Sequence, residues 1–352
     1  MSYFEKIKNL QLKENPVIMG IETSCDETAV AIVRGGREIL ADVIISSATE
    51  HARFGGVVPE IASRGHTTAI LNATERALTD ANMTLDDIDA FAVTEGSGLL
   101  GALLVGVSFA KSLAYSTGKP LIPVSHIRGH ISASYLADKT LEPPFVTILA
   151  SGGHTAIIAV DDYYKLNILG STIDDAVGEA FDKVARVLGL NYPGGPNVER
   201  LAKEGQNVIS LPKMLKNYEG GEYDFSYSGL KTAVINYVHT TTQKGFEVNK
   251  ADVANSFQHS AIDVLVEKAM KAITQTGYKT LAVSGGVGAN GYLREALQKA
   301  VDKTDVKLVL PEKRYCTDNG AMIGAEGFLQ YKKRNFADLS LNARAVVPLK
   351  DN

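Results

Sequence analysis

The sequence predicts an α/β protein made of two related lobes that close on a nucleotide, and three observations lead there. Two stretches, beginning at Val17 and Phe145, each open with apolar strand patterns joined by glycine turns and then change to helical periodicity. Glycine-bearing turns follow strands at 20–28, 151–155 and 284–290, where backbone N–H groups are free to face an anion. The chain has 352 residues, long enough for two lobes of ordinary domain size.

In the first half, VIMGIETS, TAVAIV and EILADVIIS read as three antiparallel strands, with a turn at Arg34-Gly35-Gly36 between the second and third. Ile70, Ala73, Thr74, Ala77, Leu78 and Ala81 then recur at helical spacing, and Thr84-Leu85-Asp86-Asp87 has the form of a capping box. The strand AFAVTEG, a small-residue helix from Gly101 and the strand LIPV follow. The second half repeats the plan: FVTILA, a turn at Ser151-Gly152-Gly153 and TAIIAV predict a hairpin, with helices at 174–190, 229–238 and 249–276. The strand TLAVS, a helix from Gly291, the strand VKLVL and a last helix from Asn319 complete it. This duplicated arrangement is the actin-like plan. The glycine turns are also what ordinary hairpins use, so the pattern leaves a phosphate role open.

Composition fits a soluble globular protein, with 45% hydrophobic and 22% charged residues and no apolar run of bilayer-spanning length. The opening MSYFEKIKNLQLKENP mixes charges and lacks the apolar core of a signal peptide, so we expect a cytoplasmic protein without membrane attachment. Two cysteines, Cys25 and Cys316, are too few for a disulfide framework and are not spaced as a metal pair. The net charge of −4 predicts no nucleic-acid binding by itself. The run YKKRNF from Tyr331 is a local basic patch, which near a helix end is often a solvated face.

In VSHIRGHISA, His126 and His130 lie four positions apart, which puts them on one helix face within reach of a single metal ion. Surface or capping chemistry is the open alternative. A zinc-peptidase helix would carry a glutamate directly after the first histidine, and Ile127 stands there.

A series of motifs resembles the bacterial TsaD, or Gcp, family of tRNA N6-adenosine threonylcarbamoyltransferases, from about Met19 to Gly327. It runs through GIETSCDETAVAIV at Gly20, RFGGVVPEIASRGH at Arg53, GLLGALLVG at Gly98, HIRGH at His126 and SGGHT at Ser151. It continues through DDAVGEAFDKVARVLGL at Asp174, YPGGP at Tyr192, FSYSGLKTAV at Phe225, SGGVGAN at Ser284 and CTDNGAMI at Cys316. The resemblance implies two related actin/sugar-kinase/Hsp70-like lobes with the active site in the cleft between them. It implies transfer of a threonylcarbamoyl group from threonylcarbamoyl-adenylate to N6 of the adenosine 3′ of the anticodon in tRNA, with release of AMP. It also implies partners, a TsaB-like paralogue and a TsaE-like ATPase.

The same resemblance implies His126, His130 and Asp318 as ligands of one divalent metal, Fe2+ or alternatively Zn2+. For Asp318 the alternative is an N-cap before GAMIGAEGFL, and it could do both. Substrate-holding positions fall on Leu149, Ala150, Ser151, Gly152, Gly153, Asp182, Gly195 and Asn290, with Glu199 as a further candidate. In this reading the Ser151 turn offers N–H groups to a phosphate, Asp182 accepts from ribose hydroxyls, Gly195 allows close backbone approach and Asn290 contacts the ribose or base edge. On helix geometry alone, Asp182 reads as a solvated residue opposite Ala176, Ala180, Val184 and Val187. The loop from Glu22 to Thr28 resembles the superfold's first phosphate loop or is a polar hairpin turn, and no residue stands out as general base. A phosphotransferase or ATPase of the same fold is the competing function, with a metallopeptidase weakened by Ile127.

Two departures from the family pattern stand out. Ser97 replaces a usual proline, which should loosen that turn. Arg128 sits between the histidines, where it would face phosphate, tRNA or solvent. The expected boundaries are a leader at 1–16, a first lobe at 17–124 plus 312–335, a second lobe at 125–311 with helical insertions, and a tail at 336–352.

Overall fold

A computed structural model describes residues 3–215 and 219–347. After a short helix, α1 (Tyr3–Lys8), come β1 (Val17–Glu22), β2 (Glu27–Arg34) and β3 (Glu38–Ser46), an antiparallel meander. A short helix α2 (Ala48–Ala52), α3 (Pro59–Asp80), β4 (Ala90–Gly96), α4 (Leu100–Thr117), β5 (Leu121–Ser125) and α5 (His126–Ala137) follow. The capping box forms between Thr84 and Asp87 as its spacing predicts. The second half holds β6 (Phe145–Ala150), β7 (Thr155–Val160), β8 (Leu166–Ser171), α6 (Val177–Val187), α7 (Gly194–Ala202), α8 (Ser228–Gln243) and α9 (Lys250–Thr276). It closes with β9 (Thr280–Ser284), α10 (Gly291–Val301) and β10 (Lys307–Val309), and the last helix is α11 (Gly320–Lys332).

Two five-stranded sheets result, β3-β2-β1-β4-β5 and β8-β7-β6-β9-β10, with the same order and the same sense of pairing. In each, three antiparallel strands are extended by two parallel ones, β4 beside β1 and β9 beside β6. The repeated glycine turns are therefore the outward sign of a repeated sheet. The central strands β1, β4 and β6 are buried throughout, which is why they read as continuous apolar runs. The third glycine turn differs from expectation: β9 leads into a 3-10 turn at Gly286–Ala289 and a helix, and its neighbours run parallel, so it closes no hairpin.

The chain divides into Met1–Leu141 with Asp318–Asn352, and Glu142–Thr317. Both boundaries fall later than expected from sequence, because α5 packs on α11 and β5 and so stays with the first sheet. The expected leader and tail are parts of that first unit. Ile7 is buried and Tyr3 donates a hydrogen bond to the Lys119 carbonyl, while Ala337 bridges Leu121 and Arg344 bridges Gly96. The end of the tail, 348–352, lies outside the described residues. Ser97, expected to loosen its turn, is almost buried, and its hydroxyl accepts from the Val347 amide at 3.2 Å. A proline there would offer no such group. The basic run is partly structural too, since Arg334 donates to the carbonyls of Lys8 and Leu10 at the end of α1.

Three elements, the short α2, β8 and α7, escaped the sequence reading. β8 is a partly exposed edge strand with weak alternation, and α7 begins at Gly194-Gly195-Pro196, residues that suggest a loop although proline is tolerated in a first helical turn. One correction concerns α4. Its length and composition would allow it to cross a membrane. Ala102, Leu103, Val107 and Ala110 are nevertheless buried in the first unit, while Leu100, Leu104 and Tyr115 are exposed.

α11 lies directly on the sheet because glycines on both sides remove the side chains that would hold them apart. A Cβ at Gly320 would meet the Ala31 nitrogen at 2.5 Å, one at Gly20 would meet Gly324 Cα at 3.0 Å, and one at Gly324 would meet Val33 at 2.7 Å. Gly320→Ala should therefore destabilise the protein by about 3 kcal/mol despite alanine's better helix propensity. Urea unfolding measures this, and a variant at least as stable as the wild type would contradict the packing.

Candidate functional site

In the first unit, β5 delivers the chain to α5, whose first residue is His126 and whose next turn carries His130. The imidazoles meet edge to face with ring centroids 4.6 Å apart. Asp318 stands just before α11, with Oδ1 at 3.2 Å from His130 Nε2 and 3.6 Å from His126 Nε2. The helix cap is made by Asn319, whose side chain accepts from the Met322 amide at 2.8 Å. The capping role open to Asp318 in the sequence thus belongs to its neighbour, which leaves the Asp318 carboxylate to the histidines. Gly129, between the histidines in sequence, lets α5 pack closely on α11, since a Cβ there would meet the Ile323 side chain at 2.8 Å.

These residues fit a divalent cation. One ligand atom from each of His126, His130 and Asp318 falls within a common 4.8 Å span. Both ring nitrogens of His130 are buried and make no hydrogen bond, a costly state that a bound ion would relieve. Two imidazoles and one carboxylate are also the donor set of open iron sites, with positions left for substrate.

Glu22, to which the sequence reading gave no role, completes the arrangement. It is fully buried at the end of β1; its Oε2 lies 3.0 Å from His126 Nδ1 and accepts from Thr94 at 2.7 Å, and its Oε1 accepts from the Ser24 amide. A carboxylate on Nδ1 holds the proton there and turns the Nε2 lone pair toward Asp318. Burial alone would lower the His126 pKa, but Asp318 and Glu22 outweigh it and push it up to about 9. Burial, then Asp318 and Asp26, push Glu27 up to about 9 as well. At neutral pH both groups therefore hold a proton, and a bound cation would favour giving those protons up. His66, from the RFGGVVPEIASRGH motif, supports this acidic loop, with Nε2 at 3.0 Å from the Cys25 carbonyl and Nδ1 at 2.8 Å from the Thr28 hydroxyl.

Arg128 is turned away from solvent. Its side chain is 12% exposed, and Nε donates to Glu326 of α11 at 3.0 Å.

In the second unit, Leu149 and Ala150 are buried strand residues that carry the chain to the Ser151 turn. There Ser151 N–H donates to the His154 carbonyl at 2.8 Å, while the N–H groups of Gly152 and Gly153 have no protein acceptor among the described residues. The start of α6 abuts this turn: Gly178 N–H donates to the Ser151 carbonyl, and a Cβ at Gly178 would meet that oxygen at 2.6 Å. The other S-G-G turn lies against it, since Gly285, at φ +91°, would place a Cβ 2.8 Å from the Ala150 carbonyl carbon.

Asp182 is half-buried and accepts from the Gly194 amide at 2.7 Å, so it fixes the start of α7 rather than lying solvated. Gly194 packs tightly on α6, where a Cβ would meet Asp182 Cα at 2.6 Å, and around Gly195 there is open space. Glu199 accepts from the Gly291 amide at 3.1 Å and joins α7 to α10. Asn290 caps α10 by accepting from Leu293 and donates to Gln258, each at 3.0 Å, so the side-chain bonds described are structural rather than turned to a ligand. Two family-like motifs also explain each other here. Asp174 accepts from the Tyr227 and Ser228 amides at the start of α8, and Asp175 pairs with Lys183 and Lys231.

Comparison with known proteins agrees with the repeated sheet. The family model TsaD, tRNA N6-adenosine threonylcarbamoyltransferase, matches residues 38–325. A Clostridium botulinum (strain Kyoto / Type A2) protein named tRNA N6-adenosine threonylcarbamoyltransferase is 50% identical over 333 residues, covering 94% of this chain and 97% of its own. Among solved structures, the Acidaminococcus fermentans (R)-2-hydroxyglutaryl-CoA dehydratase component A matches with a TM-score of 0.54 at 16% identity, covering 90% of this chain and 98% of its own. HypF of T. kodakarensis matches with a TM-score of 0.60 at 14% identity, over 92% of this chain and 48% of its own. These two show the shared actin-like fold.

Two substitutions test the metal centre. Asp318→Asn preserves side-chain size and leaves the Asn319 cap in place but removes a charge, and Glu22→Gln removes the negative charge that holds the His126 proton on Nδ1. Metal content by plasma emission should collapse in the first, and affinity should weaken roughly 10–100-fold in the second, the usual effect of losing an outer partner. His239→Ala, on the exposed side of α8, should leave both unchanged.

Proposed function

The chain belongs to the TsaD family of tRNA N6-adenosine threonylcarbamoyltransferases, and from that premise we propose how its residues divide the work. It is a transferase of tRNA threonylcarbamoyladenosine modification, with tRNA as substrate. The observation that carries the site assignment is the orphaned, buried His130 beside Asp318 and His126. His126, His130 and Asp318 hold one divalent ion, Fe2+ or Zn2+, which supplies Lewis acidity toward a substrate oxygen when bound. Glu22 keeps the His126 proton on Nδ1. Ile127 is buried and offers no carboxylate, which removes the peptidase alternative's general base.

The free N–H groups of Gly152 and Gly153 bind the phosphate of threonylcarbamoyl-adenylate, and Leu149, Ala150 and Ser151 set that turn. Asp182 and Glu199 keep the remaining bonding capacity of their carboxylates for the nucleoside, Gly195 leaves room for it, and Asn290 shapes the start of α10 beside it. The adenosine amine attacks the carbamoyl carbon, and AMP leaves. The target base is unstacked from the anticodon loop, as is usual for enzymes that act on a base. The work is done in the cytoplasm with a TsaB-like paralogue and a TsaE-like ATPase. The exposed Leu100, Leu104 and Tyr115 of α4 give an apolar face for such a subunit.

Reconstitution decides this. Purified chain, both partners, threonylcarbamoyl-adenylate and unmodified tRNA should yield threonylcarbamoyladenosine by nucleoside mass spectrometry over many turnovers, and omitting either partner should stop it after about one. An equal rate without partners would overturn the partner assignment, and no product from the complete mixture would overturn the substrate assignment.

A further inference from the structure

Arg128 lies between the two histidines of α5, yet its partner is on another helix. Nε donates to Glu326 Oε1 at 3.0 Å, Ser132 Oγ donates to Glu326 Oε2 at 2.6 Å, and Gln330 Nε2 donates to Oε1 at 2.6 Å. Glu326 is 2% exposed and Arg128 12%. The bonded residues are one turn apart on each helix, Arg128 and Ser132 on α5, Glu326 and Gln330 on α11. These bonds join α5 to α11.

The metal triad is built across the same two helices, with His126 and His130 on α5 and Asp318 at the entrance to α11. Between the triad and the ionic network, Gly129 faces Met322 and Ile323, an apolar contact that resists sliding and rotation only weakly. Replacing a buried ion pair by apolar residues of similar volume is often neutral or stabilising, so stability alone gives no account of charges here. What directed hydrogen bonds add is a fixed register. Metal coordination needs that, because ligand distances tolerate only about 0.2 Å of error.

We propose that Arg128 and Glu326 are positioning residues of the metal centre, fixing the register of α11 on α5 so that Asp318 meets His126 and His130 at coordinating distance. The inference rests on the metal assignment above and adds a part of this chain that touches neither metal nor substrate. Arg128→Met with Glu326→Leu removes both charges while keeping the volume apolar.

The test is Co2+ titration of the purified full chain, followed by its visible d–d absorption, with urea unfolding measured in parallel. The double variant should unfold at a midpoint no lower than wild type, bind Co2+ about 10-fold more weakly, and show a displaced d–d band. Glu326→Gln, which keeps the shape and most of the hydrogen bonds, should fall between the two and serves as the deciding variant if the double one does not fold. Wild-type affinity and an unchanged spectrum in the folded variants overturn the positioning role while leaving the metal assignment standing. A wild-type chain that takes up no Co2+ overturns the metal assignment, and this inference with it.

Discussion

The first unit depends on one steric constraint, the backbone-to-backbone contact of α11 with β1 and β2. Gly20 and Gly320 permit it, and Gly324 extends it along the helix. Because nothing larger than hydrogen fits in this seam, the height of α11 above the sheet is set by backbone atoms, which do not adjust as side chains do. The helix entrance, and with it Asp318, is thereby held beside α5. Gly129 allows a close contact of a softer kind between α5 and the same helix, against the side chains of Ile323 and Met322.

On that frame, charge rather than packing gives the centre its character. Glu22, Asp26, Glu27 and Asp318 are gathered around two imidazoles in a pocket largely shielded from water. Carboxylates brought this close are tolerated when a positive charge joins them, either a proton on His126 or a metal ion. The hydrogen bond from His126 Nδ1 to Glu22 decides which nitrogen is left for that ion. The Arg128–Glu326 pair is balanced within itself, so it adds no net charge to the pocket.

The second unit uses the same sheet for a different purpose. Two glycine turns at the ends of neighbouring parallel strands, β6 and β9, lie against each other, and α6 starts beneath the first. Asp182, Gly194, Glu199 and Gly291 then link α6, α7 and α10 through side-chain-to-backbone bonds. Several of the motif residues are thus occupied with holding loops in place, and their importance to the site is partly the rigidity they give it.

The sequence by itself determined the local structure and the chemical inventory. Strand alternation, the Thr84–Asp87 box, the helix starts at Asn249 and before GAMIGAEGFL and the spacing of His126 and His130 depend on neighbours within a few residues, and these appear as read. The motif series also identified the family. Only the tertiary structure decided which side chains share their bonds across long separations. It gave the helix cap to Asn319 and set Asp318 beside the histidines, packed Gly194 against α6, bound Ser97 to the tail, and turned Arg128 toward Glu326. It also put the unit boundary past α5, because that helix packs on α11. These outcomes depend on which of several available partners lies within about 3 Å in the folded chain, and no periodicity or cap motif records that.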